Sequence, residues 1–572
     1  MRQFILTDEC YKCRGDIRAP RPKELRELIG AKNDSIAFQV LCDNDGERCL
    51  LNPGASPALS YELGLTRYRV EVLCDFPAAI YAEGYLKDER GILTADILFE
   101  SPQIYDGGLY APAYIKLDIP SSARTGKYSV TVNVYRAVGA NDESLAASHS
   151  LPLTVYDFSM PSPKDFRCHL DLWQHNSNIA RTYGVELWSD EHFAQIETVL
   201  SSLAELGQKS ATVLAGDCPW RGWGCYLLKE YPATLFEYSM VRIRRDAEGT
   251  YFYDFSVLKR YIQLCEKYAI DGDITVYGLM GIWKNMPLFN GASVEDYPEN
   301  LLIRYKDEAD GCYKYMRTGA EIEEYIRALF AFFRENALFE KVRIGADEPA
   351  DLSAYRQNYE RLRRIAPDLR FKMALDKTSA IERFSSEIDD IAASFPCSCR
   401  NRALLREKKT AGKRVLWYIC NIPDKPNSVL HSELTELRSL GALGYLFGFD
   451  GFLRWAYTCW TESPLEEIRY NNTSLPAGDV NFVYPAKNGK ILYSLRYFAL
   501  KKALQDYELL LLLSENGRAD DAEKAVRFVL KNTNPESYMK DDFHTNEGIY
   551  SEDYEDYVRF RAFIFQLLER SK

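Results

Sequence analysis

Asp347 and Glu348 stand side by side in the run Gly345-Ala-Asp-Glu-Pro349, and paired carboxylates are a simple means of moving protons. Two neighbouring acids repel when both are charged, so sharing a pocket favours keeping one of them protonated. An acid that holds its proton near neutrality can give it to a leaving oxygen, while its ionised neighbour supports developing positive charge. Successive strand residues face opposite ways, so regular β geometry would not aim both acids at one pocket. A bulge, or the onset of a loop at Pro349, would. The competing assignment is a helix N-cap, because an Asp or Glu beside a proline also suits the first turn of a following helix.

Other chemistries have less support. The 6 histidines include no His-x-x-x-His or His-x-His spacing, so no catalytic metal is expected. Cys10-Tyr-Lys-Cys13 lacks a second such pair, and Cys397-Ser-Cys399 is a poor chelating spacing; neither is read as a metal site. No Gly-x-Ser-x-Gly elbow follows a strand, and no glycine-rich phosphate loop joins a strand to a helix. No cofactor is expected. The 14 cysteines are scattered singly and no apolar leader opens the chain, which reads as reduced thiols in a cytoplasmic protein. A net charge of −12 disfavours nucleic acid. No run approaches the roughly 18 apolar residues of a membrane span.

The elements that must position the acid pair are legible in the rhythm of the chain. With 572 residues, 46% hydrophobic and 27% charged, it is ordinary globular material for two or three domains. Residues 1–160 show short alternating runs between turn signals, the pattern of an antiparallel β-sandwich. Met160-Pro-Ser-Pro163 follows as a stiff linker. Residues 161–515 alternate strand and helix, with strands predicted at Phe166–Gln174, Ser210–Ala215, Asp273–Met280, Lys341–Ala346, Arg370–Leu375, Asp390–Phe395, Arg414–Cys420 and Gly451–Tyr457. Eight such pairs are what a (β/α)₈ TIM barrel requires, so the fold class is α/β. Residues 516–572 form a short helical extension.

Barrel active sites sit where strands end. The strand ends carry Asp171, Trp173, Gln174 and His175; Asp217, Trp220 and Trp223; Trp283; Asp347 and Glu348; Asp376 and Lys377; Trp417, Tyr418 and Asn421; and Trp455, Tyr457 and Trp460. Aromatics make up 13% of the chain, with 39 Tyr and 8 Trp. Acids, amides and flat apolar platforms together are what glycosidic cleavage needs. His175 is placed to hydrogen-bond a sugar hydroxyl, or else to pack; His169 reads as structural.

Several segments resemble glycoside hydrolase family 123 and its uncharacterised relatives. They are Leu170-Asp-Leu-Trp-Gln-His175, Gly345-Ala-Asp-Glu-Pro349, Gly451-Phe-Leu-Arg-Trp-Ala-Tyr457, Gly478-Asp-Val-Asn-Phe-Val-Tyr-Pro485 and the helix from Arg496 to Glu508. The resemblance runs from about 165 to 515. It implies an exo-acting β-N-acetylgalactosaminidase in which the substrate's own 2-acetamido oxygen attacks C1, giving an oxazolinium ion and retention. Asp347 would then orient the acetamido group, and Glu348 would serve as general acid and then general base. From their positions, Trp417, Tyr418 and Trp455 are expected to wall the sugar, with Asp479 on a hydroxyl. The expected partner is an oligosaccharide or glycoconjugate substrate, with no nucleic acid and no membrane; the sequence fixes no oligomeric state. Two alternatives stay open: an exo-glycosidase of other sugar specificity, and a catalytically silent glycan-binding barrel.

Overall fold

In the computed structural model, residues 4–15, 22–44, 46–57, 62, 64–218, 237–280, 294, 296–299, 301–349, 351–470 and 475–570 are described. Trp220, Trp223 and Trp283 lie outside them. Residues 4–159 form a five-stranded and a six-stranded sheet. Alternation makes the layer between them: Val130, Val132 and Val134 of one sheet meet Phe38, Val40, Ile115 and Leu117 of the other, all buried. Pairing is antiparallel except at two places. Leu28–Lys32 runs parallel to Ser144–Ser159, and Cys49–Asn52 parallel to Thr66–Leu73.

Eight parallel strands follow, labelled β1 (His169–Leu172), β2 (Ser210–Leu214), β3 (Asp273–Tyr277), β4 (Val342–Asp347), β5 (Phe371–Leu375), β6 (Asp390–Ser394), β7 (Arg414–Tyr418) and β8 (Gly451–Arg454). Their order around the sheet is β1-β8-β7-β6-β5-β4-β3-β2, and a parallel bridge between Leu170 and Gln208 brings the two ends together into a nearly closed barrel. All eight predicted strands are present; β4 is shifted by one residue at the predicted length, and the other seven are shorter than the sequence suggested. Between β2 and β3 a hairpin pairs Arg242–Arg245 with Tyr251–Asp254, and it belongs to a four-stranded sheet completed by Arg304–Asp307 and Tyr313–Tyr315. The helix Asn176–Tyr183, directly after His175, was not anticipated.

TIM-barrel interiors are commonly layers of aliphatic side chains. Here the lower interior is ionic. His169 and Arg414 lie 2.7 and 2.8 Å from Asp273, Arg414 and Arg343 lie 2.6 and 3.3 Å from Asp390, and Lys372 pairs with Asp171. Period-two alternation explains the set, since 169 and 171, 273 and 275, and 414, 416 and 418 each share a face.

The long helix Leu495–Glu515 ties the barrel to the sandwich. Phe498 stacks on Tyr114 at 5.4 Å, and Arg496 meets Asp96 at 2.9 Å with both side chains fully buried. Nearby, Arg438 is held between Glu9 at 2.6 Å and Asp506 at 2.8 Å. Among the described residues, no helix is long and apolar enough to cross a membrane.

One buried acid in the sandwich has no such compensation. Neither carboxyl oxygen of Glu83 finds a hydrogen-bond partner, and burial, with a smaller push from Asp96, raises its pKa to about 8. Between the ordinary carboxyl range and pH 8 the folded chain therefore holds a proton that the unfolded chain releases, so this contribution to stability falls as pH rises through 8. Glu83→Gln is expected to flatten the decline of melting temperature between pH 5 and 8.5, by an amount worth at most about 5 kcal/mol. Parallel melting curves for variant and wild type at the two pH values would show that Glu83 is ionised in the fold.

Candidate active site

The acid pair sits where β4 gives way to its loop. Asp347 is the last residue of β4, buried and paired in register with Ala374 of β5. Glu348 still donates its backbone N–H to the Ala374 carbonyl at 3.0 Å, but its φ is +42°. That left-handed conformation is uncommon for a residue with a side chain, and it ends the strand's alternation. Its carboxylate is thereby carried inward, where Oε1 accepts from the Tyr418 hydroxyl at 2.6 Å. Tyr418 lies on β7, separated from β4 by β5 and β6, so a direct contact places the Glu348 carboxylate over the barrel mouth. The backbone thus supplies the departure from regular geometry that two inward acids require. The N-cap of the next helix, Leu352–Ile365, is Asp351, whose carboxylate accepts from the backbone N–H of Ser353 and Ala354. Capping therefore does not occupy Asp347 or Glu348.

Tyr418 is a durable donor. Burial, reinforced by the Glu348 charge, holds its phenol far above the usual range, so it stays protonated at any working pH. With Oε1 engaged as an acceptor, a proton on Glu348 belongs on the other oxygen.

Tyr277, at the end of β3, is a site residue that the sequence reading missed. Burial raises its phenol strongly, followed by the charges of Asp171, Asp347 and Asp273, which places the ring among these acids. A Cβ at Gly345 would come within 2.5 Å of that ring. Glycine two residues before Asp347 is thus the space that Tyr277 occupies. The available signal was alternation: Asp273, Thr275 and Tyr277 share one face of β3.

Trp173 is buried with its ring against Tyr277, centroids 5.1 Å apart. His175 packs edge-on to Trp455 at 5.9 Å, and burial lowers its pKa to about 3, so the ring is neutral. Trp455 is partly exposed, and its indole N–H donates to Asp479 at 3.0 Å. Asp479 is completely buried, and its other oxygen accepts from Arg454 at 2.6 Å. It therefore faces Trp455 and Arg454, and any effect on a sugar passes through the indole.

Trp417 and Tyr457 stand elsewhere. Trp417 packs against Phe395, Phe447 and Phe452 in the layer between strands and helices. Because Tyr418 points inward, its strand neighbour must point outward; the two cannot wall the same sugar. Tyr457 is wholly buried, its hydroxyl 2.7 Å from Ser202 in the helix Asp190–Ala204. The structure thus gathers Asp347, Glu348, Trp173, His175, Tyr418 and Trp455 around the mouth, with Asp479 behind. Asp217, a further strand-end acid, is instead 2.8 Å from Arg304 of the four-stranded sheet.

A buried Asp347 and a half-buried Glu348 at a strand end, among aromatic side chains on a barrel, have the composition that glycosidic cleavage needs. Residues 173–513 match the model of the glycoside hydrolase 123 catalytic domain, which covers more than half of the chain. The chain belongs to glycoside hydrolase family 123 and is a glycosidase that acts on glycans. A family 123 glycoside hydrolase from Clostridium perfringens, described in the context of glycolipid glycan hydrolysis, has a similar fold. The TM-score is 0.74 at 17% identity, over 99% of this chain and 98% of that one. A β-D-glucuronidase from Dictyoglomus thermophilum aligns at a TM-score of 0.31 and 11% identity, over 88% of this chain and 69% of its own. No curated protein sequence matches the chain.

Proposed function

We propose that this glycosidase is exo-acting on terminal β-linked N-acetylhexosamine, N-acetylgalactosamine foremost, and that it works with retention by substrate assistance. The observation that carries the reading is the turned-in Glu348 beside buried Asp347. Asp347 would hold the 2-acetamido group so that its oxygen attacks C1, and its charge would stabilise the oxazolinium ion. Glu348 would deliver its proton from the oxygen not bound to Tyr418 to the departing glycosidic oxygen, and the resulting carboxylate would then take a proton from the water that opens the ring. Carboxylate spacing rules for two-carboxylate retaining enzymes do not bear on a nucleophile supplied by the substrate. Trp173, Trp455 and Tyr418 would wall the sugar, with His175 as a neutral hydrogen-bonding partner. The Clostridium relative favours a glycan carried on a lipid as the natural substrate class.

We assign the working units as a sandwich over 1–160, a catalytic barrel over 161–515 and a helical extension over 516–572, and we place the enzyme in the cytoplasm. Aryl N-acetyl-β-galactosaminide, aryl N-acetyl-β-glucosaminide and aryl β-galactoside separate the readings. Turnover is expected for the first, weaker turnover for the second and none for the third; a plain galactoside cleaved at a comparable rate would eliminate acetamido assistance. Sugar binding without cleavage of any substrate would identify a silent barrel. Asp347→Asn should retain sugar binding and lose hydrolysis by a factor comparable to loss of the general acid.

A further inference from the structure

A cavity of about 460 Å³ opens beside Gly448 and Phe449, the residues that lead into the start of β8. The acid pair stands at the other end of the strands. Arg402, Arg406 and Lys409 line the cavity from the helix Arg402–Thr410, and Arg527 lines it from the helix Ala519–Val529. Among the described residues, Glu523 is the one carboxylate in its lining. This concentration of positive charge stands out in a chain of net charge −12.

Part of the set has a structural explanation. Lys409 meets Asp450 at 2.9 Å and the Gly448 carbonyl at 3.0 Å, and Arg402 donates to the Leu446 carbonyl at 2.7 Å. Cations at the C-terminus of the helix Leu434–Phe447 suit its dipole. Capping leaves three guanidinium groups incompletely used. The Nε of Arg402 is buried without a hydrogen-bond partner. Among the described residues, no carboxylate pairs with Arg406 or Arg527. Arg402 and Arg406 are also four residues apart on one helix, where like charges repel. That repulsion, after burial, keeps the Arg402 pKa below its ordinary value.

We propose that this cavity is a binding site for a small molecule bearing a phosphate or sulfate ester. Planar guanidinium forks match a tetrahedral oxyanion, and three of them converge on a space within the usual range for small-ligand pockets, roughly 300–1,000 Å³. Leu446, Leu511 and Val526 supply an apolar wall for the carrier, and Glu523 an acceptor for its hydroxyls. The ligand would restore charge balance that the protein itself leaves open.

The full chain is titrated calorimetrically, at fixed ionic strength, with glucose 6-phosphate, glucose 6-sulfate, glucose and inorganic phosphate, and its melting temperature is followed in parallel. Saturable binding of at least one ester, absent for glucose and weaker for inorganic phosphate, is expected, and the tighter ester identifies the natural headgroup. The doubly substituted Arg406→Gln/Arg527→Gln chain should bind at least tenfold more weakly, with its ligand-free melting temperature and its hydrolysis of aryl N-acetylhexosaminide unchanged. These two side chains are exposed, so the variant tests the site without disturbing the core. Ester binding no stronger than that of glucose, or undiminished in the variant, overturns the proposal. So does inorganic phosphate binding as tightly as the esters. Hydrolysis is read separately, so a failure of the catalytic assignment leaves this result intact.

Discussion

Glu348→Gln is expected to lower kcat on an aryl N-acetyl-β-hexosaminide by about 10²–10⁴-fold, the usual worth of one general acid/base. The substitution keeps shape and keeps an oxygen to accept from Tyr418, so the melting temperature should move little. What it removes is the ability to give up and recover a proton. The loss should therefore depend on the leaving group, smaller for an acidic phenol that departs unaided and larger for an alkyl glycoside. Tyr418→Phe should produce a milder loss, because the carboxylate remains and only its orientation, fixed by the 2.6 Å hydrogen bond, is relaxed. Kinetics across a series of leaving groups check both. A uniform, less than tenfold change in Glu348→Gln would mean that the proton comes from another group.

Asp479→Asn should be the most damaging single change to stability near the site, costing about 3–5 kcal/mol. Asp479 and Arg454 are both fully buried, 2.6 Å apart, so neutralising one leaves a desolvated guanidinium without its counter-charge. The same carboxylate fixes the Trp455 indole. Arg454→Met combined with Asp479→Leu should recover much of the stability, since an apolar pair can replace a buried ion pair. Activity should stay depressed, because the indole has lost its acceptor. Denaturant melts paired with KM separate the two effects; a double variant as unstable as Asp479→Asn would show that the ion pair is not the source.

How far the sequence reaches is clearest residue by residue. The eight strands are legible because each is a short apolar run followed by helical periodicity. Asp347-Glu348 is legible because the pair follows an apolar run at a strand's C-terminal end, where barrel active sites lie. Their convergence is not, because it rests on a left-handed φ at Glu348 that no residue type announces. Choosing both Trp417 and Tyr418 overlooked the alternation that the same strand reading implied. Asp479 is expected on a sugar hydroxyl, yet its burial against Arg454 depends on where a long loop folds back, and spacing carries no such information. Tyr277 was one step of two from Thr275 and could have been named.

The ionic interior of the barrel has a consequence for how the fold could have been assembled. The first four strands bring Asp171, Asp273 and Arg343 inward, and the last four bring Lys372, Asp390 and Arg414. Among these six side chains, one half carries an excess acid and the other an excess base. Lys372–Asp171, Arg414–Asp273 and Arg343–Asp390 each join one half to the other. Two copies of either half could not close on each other, because like would face like. The halves are complements rather than repeats, and a ring made by simple duplication would have to exchange these charges before it could shut.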